Sequence, residues 1–343
     1  VTNAAVTLSN GVVVATFGTN NVSTTNSVYG LGFGRNASLS SIGTPNKPNW
    51  FVLYNTVMEN VGTNGNWQVP TNSVTGELYG LTPAPSIYTR FTSWSVLAQD
   101  SVQFYAPTNT GPIAFQDSEF HGGKIITYRP TIDLTNCLLE RVYADLSSKD
   151  SGSPYIRNSL FVGGTFNFAP NVTTAFVKDN LFDQTVIPDD SSVYTTYNGG
   201  YNGFVTNNNR LLPTNATDVV LTASPAYQTG PLGFYYQPTS SLLINKGHAT
   251  ADQVGLYHYT VTTNLVSSLE IKETNSIVDI GYHYVAVDIN GNPIDTDGDG
   301  LPDYLEDTNG NGIKDAGDLG DWLINLFNGL STGNGLSVFT PLK

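Results

Sequence analysis

A short pattern of apolar and polar positions recurs between residues 50 and 185. In each copy an apolar residue is followed two positions later by a polar one, and then by further apolar residues. The copies are Leu53-Tyr-Asn55-Thr-Val57-Met58, Phe91-Thr-Ser93-Trp-Ser95-Val96, Phe115-Gln-Asp117-Ser-Glu119-Phe120, Leu134-Thr-Asn136-Cys-Leu138-Leu139, Ile156-Arg-Asn158-Ser-Leu160-Phe161 and Val177-Lys-Asp179-Asn-Leu181-Phe182. Their first positions lie 38, 24, 19, 22 and 21 residues apart, so the first interval has room for two units. This spacing predicts a solenoid.

Each unit is too short for a helix plus a strand, and turn-forming residues bound it, so we expect strands and turns only. Stacking the units predicts an apolar row (Phe115, Leu134, Ile156, Val177), a polar row (Asp117, Asn136, Asn158, Asp179) and a second apolar row (Leu138, Leu160, Leu181). The polar row suits a tight bend, because Asn and Asp tolerate left-handed backbone geometry and hydrogen-bond along a stack. We expect Leu160 to point into the core and Ser159 to face solvent.

These rows resemble the right-handed parallel β-helix family, which has a pectate-lyase-like architecture and an asparagine ladder. Two later segments are similar to its closing motifs in bacterial proteins: Ser241-Leu-Leu-Ile244-Asn245-Lys-Gly247 and Val278-Asp279-Ile280-Gly281-Tyr282-His283-Tyr284. The resemblance implies an all-β solenoid over residues 1–285, with an N-terminal cap and a lateral excursion over about 186–238. It says little about activity, because this architecture serves enzymes, adhesins and structural proteins alike.

Two acidic loops stand back to back near the C-terminus. Oxygen-bearing residues fill positions 1, 3, 5, 9 and 12 of each loop, glycine fills position 6, and an aliphatic residue that offers its carbonyl fills position 7. This is the spacing of EF-hand calcium loops. The predicted ligands are Asp295, Asp297, Asp299, Leu301, Asp303 and Glu306 in the first loop, and Asp307, Asn309, Asn311, Ile313, Asp315 and Asp318 in the second.

The tandem arrangement, without helices flanking each loop, resembles thrombospondin type 3 repeats and the calcium segments of bacterial surface proteins. The resemblance covers residues 288–321 and implies structural calcium ions in an extracellular protein. We therefore expect a second domain at 286–343, an irregular calcium-binding segment with a tail and a short helix over 320–329. The second loop has fewer carboxylates and should bind more weakly.

Composition agrees with an exported protein. Charged residues make up 12% of the chain, and of the net charge of −14 the segment 288–321 carries −9, from ten acidic residues and one lysine. This acidity excludes nucleic acid as a favoured partner. No apolar stretch is long enough to insert into a membrane. The single cysteine, Cys137, lies in an apolar run and favours a packing role.

We therefore expect a secreted or cell-surface β-helix with a structural or adhesive role. Exposed strands at the two ends of a solenoid favour self-association into an extracellular fibre, or contact with other surface proteins. The alternatives are a carbohydrate-active enzyme (a polysaccharide lyase or glycoside hydrolase) and a glycan-binding module without catalysis.

A lyase of this fold needs a basic residue near acidic ones, and the nearest candidates are Arg157 and Lys178, with Asp145, Asp150, Asp179 and Asp183 nearby. An outward position beside the bend explains the two basic residues equally well, so no catalytic residue is assigned. Sugar platforms would use exposed tyrosines with Trp50, Trp67 and Trp94, and otherwise these rings fill the core. Gly-Leu-Tyr-His258-Tyr and Gly-Tyr-His283-Tyr favour packing over a zinc site.

Overall fold

The structure, a computed structural model, describes residues 1–16, 31–53, 74–78, 82–95, 102–106, 111–127, 131–146, 153–168, 175–188, 197–205 and 210–325. Within these ranges the chain is all-β, with one four-residue helix, α1 (Asp303–Glu306). No helix there is long and apolar enough to cross a membrane.

Three long parallel sheets contain most of the strands. Sheet A has the order β1 (Ala5–Leu8), β4 (Ser38–Ile42), β7 (Ser86–Arg90), β10 (Ile113–Gln116), β13 (Ile132–Thr135), β16 (Tyr155–Arg157), β19 (Phe176–Lys178), β21 (Asn198–Gly200). Sheet B has the order β2 (Val13–Thr16), β5 (Asn49–Leu53), β8 (Thr92–Ser95), β11 (Glu119–His121), β14 (Leu138–Glu140), β17 (Leu160–Val162), β20 (Leu181–Asp183), β22 (Gly203–Val205), β23 (Val219–Leu221). Sheet C has β3 (Leu31–Phe33), β6 (Val74–Leu78), β9 (Val102–Ala106), β12 (Lys124–Thr127), β15 (Tyr143–Asp145) and β18 (Thr165–Asn167).

The chain visits the three sheets in rotation, so that from β1 to β20 every third strand pairs with its predecessor in the same sheet. We call these sheets the sheet stack. Three antiparallel pairs follow: β24 (Gln228–Gly230) with β25 (Gly233–Tyr236), β26 (Tyr259–Thr260) with β29 (Tyr284–Val285), and β27 (Leu265–Val266) with β28 (Leu269–Glu270).

The register of the strands confirms the predicted rows from Phe115 onwards. Sheet A pairs Phe115 with Leu134, Leu134 with Ile156, and Ile156 with Val177, all fully buried. The polar row lies at the bend between sheets A and B, and its members all have positive φ, between 46° and 60°: Asp117, Asn136, Asn158, Asp179. The amide of Asn136 donates to Asp117 in the preceding turn at 2.8 Å.

The predicted alignment was wrong in the first two units. Thr89 pairs with Phe115, and Phe91 itself takes the positive-φ position that Asp117 occupies one turn later. Leu53 lies in sheet B and not in sheet A, and β5 pairs directly with β8. The long first interval therefore holds one turn and not two.

Strands β17, β20 and β22 of sheet B are buried on both faces, which the sequence pattern did not reveal. The hydrophobic core contains Phe161 and Phe182, whose rings stack at 4.9 Å. Their neighbours Leu160 and Leu181 are equally buried but point to the opposite face, because side chains alternate along a strand. A Cβ placed on Gly203, the next residue in the Leu181 row, would lie 2.9 Å from Leu243. The segment predicted to close the helix thus packs on the outer face of sheet B.

Ser159 is buried, so the prediction that it faces solvent was wrong. Its hydroxyl donates to the carbonyl of Arg157 and accepts from the amide of Cys137. Its own amide donates to Asn180 Oδ1 at 3.0 Å, and the amide of Asn180 donates to Asn202 Oδ1 at 3.0 Å. A second ladder therefore runs through the stack, one position after the predicted one.

The chain divides into two compact units, one comprising residues 1–226, 240–248 and 279–282, and the other 227–239, 249–278 and 283–343. The antiparallel pairs and both acidic loops belong to the second unit, so its extent differs from the domain expected at 286–343. Residues 198–205 and 219–221, expected within a lateral excursion, extend sheets A and B. Residues 322–324 form a turn, and the rest of the predicted helix after residue 325 lies outside the described residues.

Candidate calcium site and neighbouring surfaces

The first acidic loop is folded by its own carboxylates. Asp295, at position 1, accepts the backbone amides of Gly298 and Gly300 at 2.8 and 2.9 Å. Asp297 and Asp299 each accept the amide two residues further on. These turns bring one oxygen from each aspartate to within 4.8 Å of the others. Oxygens that share one calcium ion at 2.3–2.6 Å are separated by at most about 5 Å, so this spacing fits the ion.

The second loop repeats these turns twelve residues later. Asp307 Oδ1 and Oδ2 accept the amides of Asn311 and Gly312, at positions 5 and 6. Asn309 accepts the amide of Asn311, and Asn311 accepts the amide of Ile313. Positions 3 and 5 therefore make the same local turns in both loops, and position 1 accepts the amide of position 6 in both, although two of these three residues in the second loop are uncharged.

Glu306, at position 12 of the first loop, has the least satisfied carboxylate of the segment. Its side chain is fully buried, and among the described residues neither carboxylate oxygen has a hydrogen-bond partner. Burial and the neighbouring charges of Asp297 and Asp299 raise the pKa of Glu306 to about 7. A buried, unpaired carboxylate beside other carboxylates is costly unless a cation or a proton joins them. The donor set of the first loop therefore fits a hard divalent cation.

Asp303, predicted at position 9, has a different environment. Its carboxylate is buried and forms an ion pair with Lys272, and it accepts the amide and the hydroxyl of Thr296, both at 2.6 Å. The short helix α1 begins at Asp303 and carries Glu306 at its end. The structure thus brings together Asp295, Asp297 and Asp299, with Glu306 beside them, and turns Asp303 towards Lys272.

The remaining residues of the second loop hydrogen-bond to one another. Asp315 accepts the side-chain amides of Asn309 and Asn311, and these bonds lower the pKa of Asp315. Asp318 accepts the amides of Thr308 and Asp315. Leu301 and Ile313 stand at position 7 of the two loops, and their role as carbonyl ligands stays a prediction.

Among the described residues, the candidate lyase residues are distributed over the three sheets. Arg157 and Lys178 are neighbours in sheet A. Asp145 lies in sheet C, where it accepts the side-chain amide of Asn167, and Asp183 lies in sheet B, where it accepts the hydroxyl of Ser224. Asp179 pairs with His248. Asp150 lies outside the described residues.

The outer face of sheet A carries aromatic rings beside basic side chains. Tyr155 and Phe176 stack with ring centroids 4.6 Å apart, and Tyr155 is 37% exposed. The ammonium of Lys178 lies 5.2 Å from the Phe176 ring and 6.0 Å from the Tyr201 ring. Trp94, expected as a sugar platform or a core residue, is in the core, while Trp50 is half-buried and Trp67 is outside the described residues.

All four histidines lie beside carboxylates. His258 contacts Asp307, and His283 lies 3.4 Å from Glu273. His121 lies between Glu119 and Glu140, at 3.1 and 3.0 Å, a cluster that sequence reasoning missed because Glu140 comes from the next turn. Within the described ranges, the aspartate triad of the first loop is the group of three potential metal ligands that the structure brings together.

Comparisons with protein-family models, curated proteins and solved structures found no match.

Proposed function

We propose that this chain is a secreted or cell-surface structural or adhesive protein, built on a right-handed parallel β-helix and stabilised by calcium. The β-helix interpretation is supported by three parallel sheets visited in rotation, by in-register apolar rows and by hydrogen-bonded polar ladders between successive turns. Such stacking repeats the same surface positions from turn to turn, which suits a role that depends on a repeated surface.

The calcium proposal is carried by one observation: the buried carboxylate of Glu306 has no donor in the described part of the chain and lies beside three aspartates. In the first loop Asp295, Asp297, Asp299 and Glu306, with the carbonyl of Leu301, would hold an ion. In the second loop the ligands would be Asp307, Asn309, Asn311, Asp315 and Asp318, with the carbonyl of Ile313. Bound calcium supplies positive charge that offsets the repulsion within each loop.

An extracellular location follows from this proposal, because weak calcium sites fill where calcium is millimolar. A surface with few charges and a net charge of −14 disfavours nucleic acid and anionic membranes. The partners that we propose are further copies of this chain or other surface proteins, joined at exposed strands.

Calorimetry and thermal unfolding in millimolar calcium, compared with chelator, test the calcium proposal. We expect calcium uptake and a higher unfolding midpoint, since a ligand at 100 times its Kd stabilises by about 2.7 kcal/mol. Glu306→Gln should weaken uptake, whereas Asp321→Ala, a change of an acidic residue outside the loops, should not. Absence of uptake by the intact chain would refute the proposal. Electron microscopy and light scattering with and without calcium test assembly.

A second candidate function is glycan binding without catalysis, favoured by the stacked Tyr155 and Phe176 on the outer face of sheet A. Aromatic rings bind the apolar faces of sugars, and Arg157 and Lys178 would pair with acidic groups on them. We expect retention on immobilised acidic polysaccharides, reduced by Tyr155→Ala and unaffected by Tyr143→Ala on sheet C. Release of unsaturated or reducing ends, abolished by Arg157→Ala or Lys178→Ala, would instead establish the enzyme alternative.

A further inference from the structure

A buried chain of polar groups joins the two acidic loops. Asp303 in the first loop pairs with Lys272, whose Nζ lies 3.4 Å from His258 Nδ1. The other nitrogen of this ring, Nε2, lies 2.9 Å from Asp307 Oδ2 in the second loop. Asp303, His258 and Asp307 are each at most 2% exposed, and the side chain of Lys272 is 13% exposed. Lys272 and His258 come from outside the loops and belong to the same compact unit.

Trp322 fixes the two central members of this chain. Its ring centroid lies 5.0 Å from Lys272 Nζ and 5.1 Å from the centroid of the His258 ring. Packing against one indole limits the movement of both side chains. The carboxylates of both loops therefore contact the same pair of side chains, and Trp322 packs against both members of that pair.

A second contact between the loops involves Glu306 and Gly320. The carbonyl of Glu306 accepts the amide of Leu319, just after the second loop, at 3.0 Å. A Cβ on Gly320 would lie 2.0 Å from Glu306 Oε1, so there is no room for a side chain. The backbone that leaves the second loop thus sets the position of the carboxylate at the end of the first.

We propose that the two loops bind calcium as a coupled pair, with Lys272, His258 and Gly320 as the residues that couple them. This inference rests on the proposed calcium function and adds how the sites depend on each other. An ion in the second loop orders residues 307–318, which include Asp307, and through them it orders Gly320. The first loop then loses less conformational entropy when its own ion binds, which gives positive cooperativity.

The test is calorimetry on the full chain and on two variants that each disable one loop, Asp297→Ala and Asp315→Ala. Each variant should bind one ion, at its remaining loop. We expect the affinity of that loop to be about 5- to 150-fold lower than the affinity of the same loop in the intact chain when the other loop is filled. The factor should be the same in both directions, because coupling between two binding sites is reciprocal.

Two further variants test the route of coupling. Lys272→Met breaks the polar chain, and Gly320→Ala displaces Glu306. Asp315→Ala is expected to weaken calcium binding at the first loop. This weakening should be smaller when Lys272→Met or Gly320→Ala is also present. It should keep its full size when Lys314→Met, the matched control in the second loop, is present instead. Circular dichroism shows whether each variant folds. If Gly320→Ala does not fold, Lys272→Met alone tests the route.

The outcomes separate the inference from the function on which it rests. If the single-loop variants bind their ion as tightly as the intact chain does, the loops are independent and coupling is refuted, while calcium binding stands. If coupling persists unchanged in Lys272→Met and Gly320→Ala, the assigned route is refuted. If the intact chain takes up no calcium, the proposed function fails and the inference fails with it.

Discussion

Asn180 in the sheet stack and Glu306 in the first acidic loop are equally buried polar side chains with opposite surroundings. Asn180 accepts the amide of Ser159 and donates to the carbonyls of Ile156 and Lys178. Glu306 has no donor among the described residues and lies near like charges. The stack satisfies Asn180 with its own atoms, whereas nothing in the described part of the chain satisfies the carboxylate of Glu306. We therefore expect the stack to respond to changes in packing and the loops to respond to ions.

The largest expected effect comes from the aromatic core of the stack. Phe161→Ala removes a ring that stacks on Phe182 and contacts Phe166, and it should lower the free energy of unfolding by about 3 to 5 kcal/mol. Denaturant unfolding measures this loss, which should be equal in calcium and in chelator. Tyr143→Ala, at a 37% exposed ring on sheet C, is the control and should cost far less. If the loss of unfolding free energy in Phe161→Ala disappears when calcium is added, the stability of the stack depends on the loops, and the comparison between the two regions fails.

The sequence was sufficient to predict the rows from Phe115 to Val177 and the left-handed bends between sheets A and B. It failed where both faces of a strand are buried, because the alternation that separates inside from outside then disappears. Leu160 and Phe161 illustrate this failure, since both are apolar and buried although they face opposite ways. Phe91 in a left-handed bend was not predictable either, since bulky residues rarely take that conformation.

The acidic loops were predicted because their chemistry is local. All twelve predicted residues follow from spacing within 24 positions, and the repeated turns agree with that spacing. Lys272 and His258 could not be found in this way, because they contact Asp303 and Asp307 from 31 and 49 residues away. A sequence motif identifies such a site, but only the fold shows what surrounds it.

A second prediction uses Glu270, a buried carboxylate that resembles Glu306 but has, within the described ranges, no cluster of carboxylates beside it. It accepts the amide of Val287 through Oε2, and burial raises its pKa from 4.5 to about 7. Between pH 4.5 and about pH 7 the folded chain therefore holds a proton on Glu270, whereas the unfolded chain has released it. Its contribution to stability is complete below pH 4.5 and is lost as the pH rises through about 7.

Glu270→Gln should remove this dependence. A shift from 4.5 to about 7 corresponds to roughly 3 kcal/mol, so at pH 8 the variant should be more stable than the wild type by an amount of that order. At pH 4.5 the two should be equally stable. Unfolding by denaturant at both pH values, in saturating calcium to keep the acidic loops constant, measures the difference. A variant that is destabilised equally at both would show that Glu270 is ionised in the folded chain.

The smallest expected effect concerns the ladder through Asn180. Asn180→Ala leaves the buried amide of Ser159 without its partner inside the stack and removes the bond that the Asn180 side chain donates to the carbonyl of Ile156. A buried donor or acceptor without a partner costs about 1 to 3 kcal/mol, so the free energy of unfolding should fall by that amount, less than for Phe161→Ala. Asn198→Ala, at an exposed position on β21, is the matched control and should be nearly neutral. Hydrogen exchange adds a local readout, because the Ser159 amide should lose protection in Asn180→Ala and keep it in Asn198→Ala. Unchanged protection would mean that a solvent molecule replaces the Asn180 side chain, so that the stack does not depend on its own side chains to satisfy this buried amide.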